Sequence, residues 1–122
     1  MNDLIRQPWA EGQVEHILLL EDDPEIAKAV TEVMMGMARG SLVVHHADTL
    51  AGAVEMLKDH TIVGVVLDLN LPDSYGVHTF NAINEARPDA ALVVLSGEAD
   101  EELAIETVKR GAQDYLVKGH AE

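Results

Sequence analysis

Asp68 stands at the end of an almost wholly aliphatic run, Ile62 to Leu67, and is followed by Leu69-Asn70-Leu71-Pro72-Asp73. The run is rich in β-branched residues, lacks helical spacing and is too short to cross a bilayer. It therefore reads as a strand buried on both faces, which delivers a carboxylate to the mouth of a dry core. An unpaired charge there is costly, so the chain must supply partners. Glu21 and Asp22 end an apolar run from His16 to Leu20, Ser96 ends another from Ala91 to Leu95, and Lys118 follows Tyr115 to Val117. If these strand ends share one edge, the acids repel one another, and a hard divalent cation, Mg²⁺ (or Mn²⁺), resolves the repulsion. The Lys118 ammonium and the Ser96 hydroxyl then remain to hold the oxygens of a phosphoryl group, with Asp68 as the carboxylate that attacks phosphorus.

The elements that must position these groups alternate along the chain. Asp23-Pro24-Glu25 reads as a helix start in which the aspartate caps and the proline takes the first helical position. Ile26, Val30, Met34 and Met37 then share one face of a helix that stops before Gly40, and the Met34-Met35-Met37 group reads as core filler. Leu42 to Val44 is a second strand. Asp48-Thr49 opens a helix with a Leu50, Ala53, Val54 and Leu57 stripe. Val77, Phe80 and Ile83 mark a third helix ended by Pro88, and Asp100-Glu101-Glu102 starts a fourth, bearing Leu103, Ala104 and Val108 and closed by Gly111. Five strands alternating with helices at roughly 20 to 30 residues per unit imply an α/β fold, a doubly wound parallel sheet with helices on both faces. Function in such sheets collects at the carboxyl ends of the strands.

No helix is read after the fifth strand, so one flank of the sheet is expected to lie open and the chain reads as part of a longer protein. Leu4, Ile5 and Trp9 of an N-terminal leader (residues 1–13), or a second copy in a homodimer, are the expected cover, with residues 14–122 forming the domain. The 122 residues, 48% of them hydrophobic, suffice for one core and not for two domains. A formal charge of −14 disfavours nucleic acid and anionic membrane surfaces. There are no cysteines, hence no disulfides or thiolate metal sites, and neither a signal peptide nor a membrane span is read, so the expectation is a cytoplasmic protein. His45 and His46 occupy successive strand positions facing opposite ways, which argues against a shared metal.

Taken together, Leu20-Glu21-Asp22-Asp23-Pro24, Val66-Leu67-Asp68-Leu69-Asn70-Leu71-Pro72-Asp73-Ser74-Tyr75-Gly76, Val94-Leu95-Ser96-Gly97 and Gly111-Ala112-Gln113-Asp114-Tyr115-Leu116-Val117-Lys118 resemble the receiver domain of two-component response regulators. The resemblance runs from about Glu15 to Gly119. It implies a flavodoxin-like sheet in strand order 2-1-3-4-5, with Asp68 phosphorylated by a histidine kinase or histidine phosphotransfer protein to control an output domain or downstream protein. It further implies Glu21 and Asp22 as the acidic pair around the metal, with Asp22, Asp68 and the backbone carbonyl of Asn70 as direct ligands. Ser96 matches the switch hydroxyl, Tyr115 the aromatic that moves with it, and Lys118 the phosphate-contacting lysine. Asn70 and Glu98 match positions that influence phosphate loss. Two departures stand out: Gly119 replaces a proline in cis linkage, and the acidic pair is Glu-Asp where two aspartates are also common.

The switch has a physical reading of its own. An acyl phosphate adds up to about two negative charges and three acceptor oxygens that a hydroxyl and an ammonium can bond. Drawing Ser96 inward vacates space that Tyr115 can fill, reshaping the surface around the fourth helix and fifth strand, and the small Gly97 leaves the phosphoryl site open. Two alternatives are a receiver-like adaptor that works without phosphorylation and a phosphatase of the haloacid-dehalogenase type. The phosphatase needs an acid where Asn70 stands, and no turnover beyond self-catalysed phosphotransfer and dephosphorylation is expected.

Overall fold

Aliphatic runs without helical period become strands, and capped segments with a three-to-four-residue period become helices. The computed structural model describes residues 14–38 and 41–118. Its elements are β1 (Val14–Leu20), α1 (Pro24–Met37), β2 (Ser41–Ala47), α2 (Leu50–Met56), β3 (Ile62–Asp68), β4 (Asn70–Leu71), β5 (Ser74–Tyr75), α3 (Val77–Ala86), β6 (Ala91–Ser96), a 3₁₀ turn (Glu98–Asp100), α4 (Glu101–Lys109) and β7 (Asp114–Val117). The five long strands form one parallel sheet in the order β2-β1-β3-β6-β7, which is order 2-1-3-4-5 when only its own strands are counted. The remaining two make a small antiparallel ribbon directly after Asp68.

Strand alternation sorts the aliphatic side chains between two cores. Leu18, Leu20, Val65, Leu67, Leu92 and Val94 pack with Ala53, Phe80, Ile83 and Ala104 from α2, α3 and α4. Leu19, Val66 and Leu95 point the other way, onto Ala27, Val30 and Met34 of α1. Each such leucine or isoleucine contributes about 1.5 to 3 kcal/mol by leaving water. The central strand β3 is buried along nearly its whole length, as its unbroken aliphatic run requires. Among the described residues α1 alone covers the second face, and Leu116 of β7 is 52% exposed.

Two expectations are corrected. Met35 and Met37 are not core filler, being 52% and 76% exposed. Met35 is one position off the stripe, and Met37 sits a turn beyond Met34, the last α1 residue that packs on the sheet. Asp100 does open α4 as expected, standing at its N-cap position at the end of a 3₁₀ turn, although its side chain makes no capping bond. Val108 lies at the edge of its stripe, 37% exposed, while Ala104 and Thr107 are the residues of α4 that go inside. Asp23 does cap α1, accepting from the Glu25 and Ile26 amides with Pro24 at the first helical position. Gly40, Leu4, Ile5, Trp9 and Gly119 lie outside the described residues.

Candidate functional site

The carboxyl ends of β1, β3, β6 and β7 meet at one rim. Glu21 continues β1 by one residue, its amide donating to the Ala47 carbonyl (3.1 Å), and its side chain is wholly buried. Its Oε2 accepts from the Asp23 amide (3.1 Å), which ties the acidic turn to the start of α1. Asp22, next in line, is exposed. Asp68 is 6% exposed; its Oδ1 accepts from the Asn70 amide (3.0 Å) and its Oδ2 from Lys118 Nζ (2.9 Å). Lys118 Nζ also stands 3.1 Å from Glu21 Oε1, an ion contact without hydrogen-bond alignment. One oxygen from each of Glu21, Asp22 and Asp68 falls within 4.8 Å of the others, so the three acids form a cluster of hard ligands.

Electrostatics follow from that crowding. Burial raises the pKa of Glu21 above the usual carboxylate value and the Asp68 charge adds to it, against the opposing pull of the Asp23 amide and Lys118. For Lys118, burial works to lower the pKa, but the bond to Asp68 and the charges of Asp68 and Glu21 outweigh it, so the amine stays protonated.

Three buried oxygens at this rim have no hydrogen-bond partner among the described residues: Glu21 Oε1, Asn70 Oδ1 and Ser96 Oγ. Buried polar atoms are rarely left so, and a set of them beside a carboxylate trio fits a bound cation and an incoming oxyanion. Ser96, 3% exposed, closes β6 while its carbonyl accepts from the Lys118 amide (2.7 Å), so the two residues are set at the same end of the sheet by one strand pairing. A β-carbon added at Gly97 would meet nothing within 4 Å, so space beside Ser96 is open.

The ribbon after Asp68 is braced from both ends. The Gly76 amide donates to the Leu69 carbonyl (2.9 Å) with φ +68°, a conformation that favours glycine. Thr79 Oγ1 bonds the same carbonyl (2.8 Å) and Ser74 Oγ (2.7 Å). Asn70 Nδ2 donates to Asp100 Oδ2 (3.1 Å), latching this ribbon to the loop before α4. Asp73 accepts from the Leu50 and Ala51 amides (2.8 and 3.0 Å), capping a helix more than twenty residues earlier in the chain. Sequence reasoning passed over Thr79, Asp100 and Asp73 in these roles. The last two partner residues far away in the chain, and no local signal marks that. Tyr115 does not join the acidic rim: it lies on the larger-core side of β7 and its hydroxyl donates to Glu101 Oε2 of α4 (2.9 Å), a bond that raises the phenol pKa.

A doubly wound parallel sheet in this order, with an acid trio facing a lysine across the strand ends, defines a flavodoxin-like α/β domain with its charged groups gathered at one edge. The family model described as the response regulator receiver domain matches residues 17–122, and the chain belongs to that family. It is 31% identical over 116 residues to the photosynthetic apparatus regulatory protein RegA of Rhodobacter capsulatus, covering 94% of this chain and 61% of that relative. It is 26% identical over 103 residues to the chemotaxis protein CheY of Bacillus subtilis, covering 84% of this chain and 85% of that one. Full-length FixJ from B. japonicum shares the fold at a TM-score of 0.74 and 22% identity, over 86% of this chain and 50% of that one. The chain thus spans less than two thirds of RegA's length. It is a receiver domain of two-component response regulators, a signalling domain of a family that binds Mg²⁺ through an acidic pocket and works with kinases and output domains. Among the described residues no helix is long and apolar enough to cross a membrane.

Proposed function

We propose that Asp68 is the phosphoacceptor of this domain. The observation that carries the reading is the ion pairing of Lys118 with both Asp68 and Glu21 beside an unpartnered, buried Ser96 hydroxyl. A carboxylate oxygen of Asp68 attacks phosphorus; the new O–P bond forms as the bond from phosphorus to the donor's leaving group breaks, and that group departs with the electron pair. Lys118 and Ser96 Oγ donate to the phosphoryl oxygens, which the ammonium can do on leaving Asp68 Oδ2. Glu21, Asp22, Asp68 and the backbone carbonyl of Asn70 are the residues to hold Mg²⁺, or Mn²⁺, which when bound supplies charge neutralisation at the oxygens of the transferred group. The donor is a phosphohistidine on a histidine kinase or phosphotransfer protein, or a small acyl phosphate.

Ser96 lies two residues beyond Val94, the register partner of Tyr115, so both face the larger core on neighbouring strands. Movement of Ser96 toward the phosphate opens room on that side for the Tyr115 ring, which must then give up Glu101. The surface of α4 and β7 is the surface that reports the change to an output domain or downstream protein. Gly97 leaves the phosphoryl site open, and Asn70 and Glu98 are the residues that set how readily the aspartyl phosphate hydrolyses. Residues 14–122 make up this unit and 1–13 a leader, in a cytoplasmic setting.

Acetyl phosphate with Mg²⁺, followed by intact-mass measurement, tests the reading. Wild type gains a single phosphoryl group and Asp68→Asn gains none. Unmodified wild type, or modification that survives the substitution, overturns it.

A further inference from the structure

We propose that His46 is a positioning residue for the acidic turn, setting divalent-cation affinity without touching the cation; the inference rests on the acidic site proposed above. His46 lies on β2, the edge strand, and its Nε2 is 2.7 Å from the main-chain carbonyl of Glu21. A carbonyl only accepts, so Nε2 carries the hydrogen and the imidazole is the donor. The same peptide region is held from the other side, since the Glu21 amide donates to the Ala47 carbonyl. Glu21 is therefore clamped to β2 at both ends of its main chain, one residue past the last register pair of the two strands, Leu20 with Ala47.

This clamp acts where the chain turns from strand to ligand. The Glu21 side chain carries the Lys118 contact and the Asp23 amide bond, and Asp22 follows directly, so the rotation of the Glu21–Asp22 peptide sets where two of the three clustered carboxylates lie. Without the imidazole donor that carbonyl is free to turn toward water, and the cluster must be ordered by the cation itself, which weakens binding. Partners of this kind, which orient ligands without contacting the metal, typically carry 10- to 100-fold in affinity; acting through a main-chain carbonyl, His46 belongs at the low end, about 10-fold. His46 is exposed beside an open groove of about 480 Å³ between α1 and β2, bordered by Ala27, Thr31 and Val44, so shortening its side chain seals no cavity into the core.

Calorimetric titration with Mn²⁺ or Mg²⁺ of wild type, His46→Leu and His46→Gln tests the proposal, because glutamine restores an N–H donor at similar reach and leucine does not. The dissociation constant of His46→Leu is expected to rise about 10-fold and that of His46→Gln to stay within about 3-fold of wild type. Thermal midpoints in metal-free buffer should be alike for the two variants. Phosphorylation of His46→Leu by acetyl phosphate should need more Mg²⁺ for half-maximal rate while reaching the wild-type rate at saturation. Equal affinities in wild type and His46→Leu overturn the inference alone, as does equal weakening in both variants, which points to packing rather than the donor. A wild type that binds no divalent cation overturns the acidic site and the inference together.

Discussion

Under the proposed reading of the rim as a divalent-cation site, Lys118 competes for the oxygens that the cation would take. Its ammonium sits 2.9 Å from Asp68 Oδ2 and 3.1 Å from Glu21 Oε1, and both acids belong to the cluster that includes Asp22. In the structure the lysine neutralises these acids itself, and under the proposal that Asp68 is phosphorylated it is released only then to bond the phosphoryl group. Lys118→Met keeps the length of the side chain and removes the charge, so two effects of opposite sign follow. Mg²⁺ binding should tighten several-fold, because the cation no longer displaces an ammonium, whereas acceptance of the phosphoryl group from acetyl phosphate should fall at least 10-fold for want of a donor to its oxygens. Weaker Mg²⁺ binding in Lys118→Met would show that the lysine organises the acids instead of competing for them. Asp68, Glu21, Asp22, Ser96 and Lys118 were legible in the sequence because each ends an aliphatic run, and a parallel sheet sends all such ends to one edge. Tyr115 was legible as a strand aromatic but its bond to Glu101 was not, since that depends on how α4 lies across β7.

Elements are held in register by side chains that reach across turns, and Arg87 is the clearest case. It follows α3 and is 3% exposed; its Nε and Nη2 donate to Asp89 (2.9 and 3.0 Å), and its Nη1 donates to the Leu57 and Asp59 carbonyls (3.2 and 3.3 Å). One guanidinium thus ties the turn before β6 to the turn before β3, the strand that carries Asp68. Arg87→Met leaves two carbonyls and a carboxylate without their donor, and should cost about 2 to 4 kcal/mol in denaturant unfolding. Arg87 also holds the Asp89 carboxyl at about 2, below its ordinary value of 3.8. With the folded pKa depressed, this pair's contribution is complete above the unfolded value and disappears as pH falls toward the folded one. The stability gap between wild type and Asp89→Asn should therefore be constant from neutral pH to about pH 5 and close between about pH 4 and 2. A gap that persists at the acid end excludes the ion pair as its cause. The sequence offered Pro88 as a helix stop but nothing that marks Arg87, because its carbonyl partners lie 28 and 30 residues earlier. The helices were legible through their caps and stripes, and the errors fell in the last turns of α1 and α4, where the tertiary surroundings outweigh local periodicity.

For the whole molecule, topology was the most legible feature: five aliphatic runs separated by helices leave few parallel arrangements, and the sheet order matches the one implied by the resemblance. That order also concentrates part of the chain's charge of −14, packing three carboxylates at a single rim. Concentrated like charge destabilises the folded state, and a cation that binds only the folded cluster recovers that loss by mass action. At ten times its dissociation constant Mg²⁺ should stabilise by about 1.4 kcal/mol, raising the thermal midpoint by roughly 3 to 6 °C for a domain of this size. Monovalent salt also screens the net charge, so the comparison is with NaCl at equal ionic strength, which should give a smaller rise that does not saturate. Asp22 is the exposed member of the cluster, and its removal leaves the core intact. Asp22→Asn should keep the NaCl response and lose most of the Mg²⁺ response. An equal Mg²⁺ response in wild type and Asp22→Asn would mean that the ion acts on the overall field of the protein and not at the ends of β1 and β3, and with it the acidic rim would lose its claim to be the place where charge, cation and phosphoryl group are coupled.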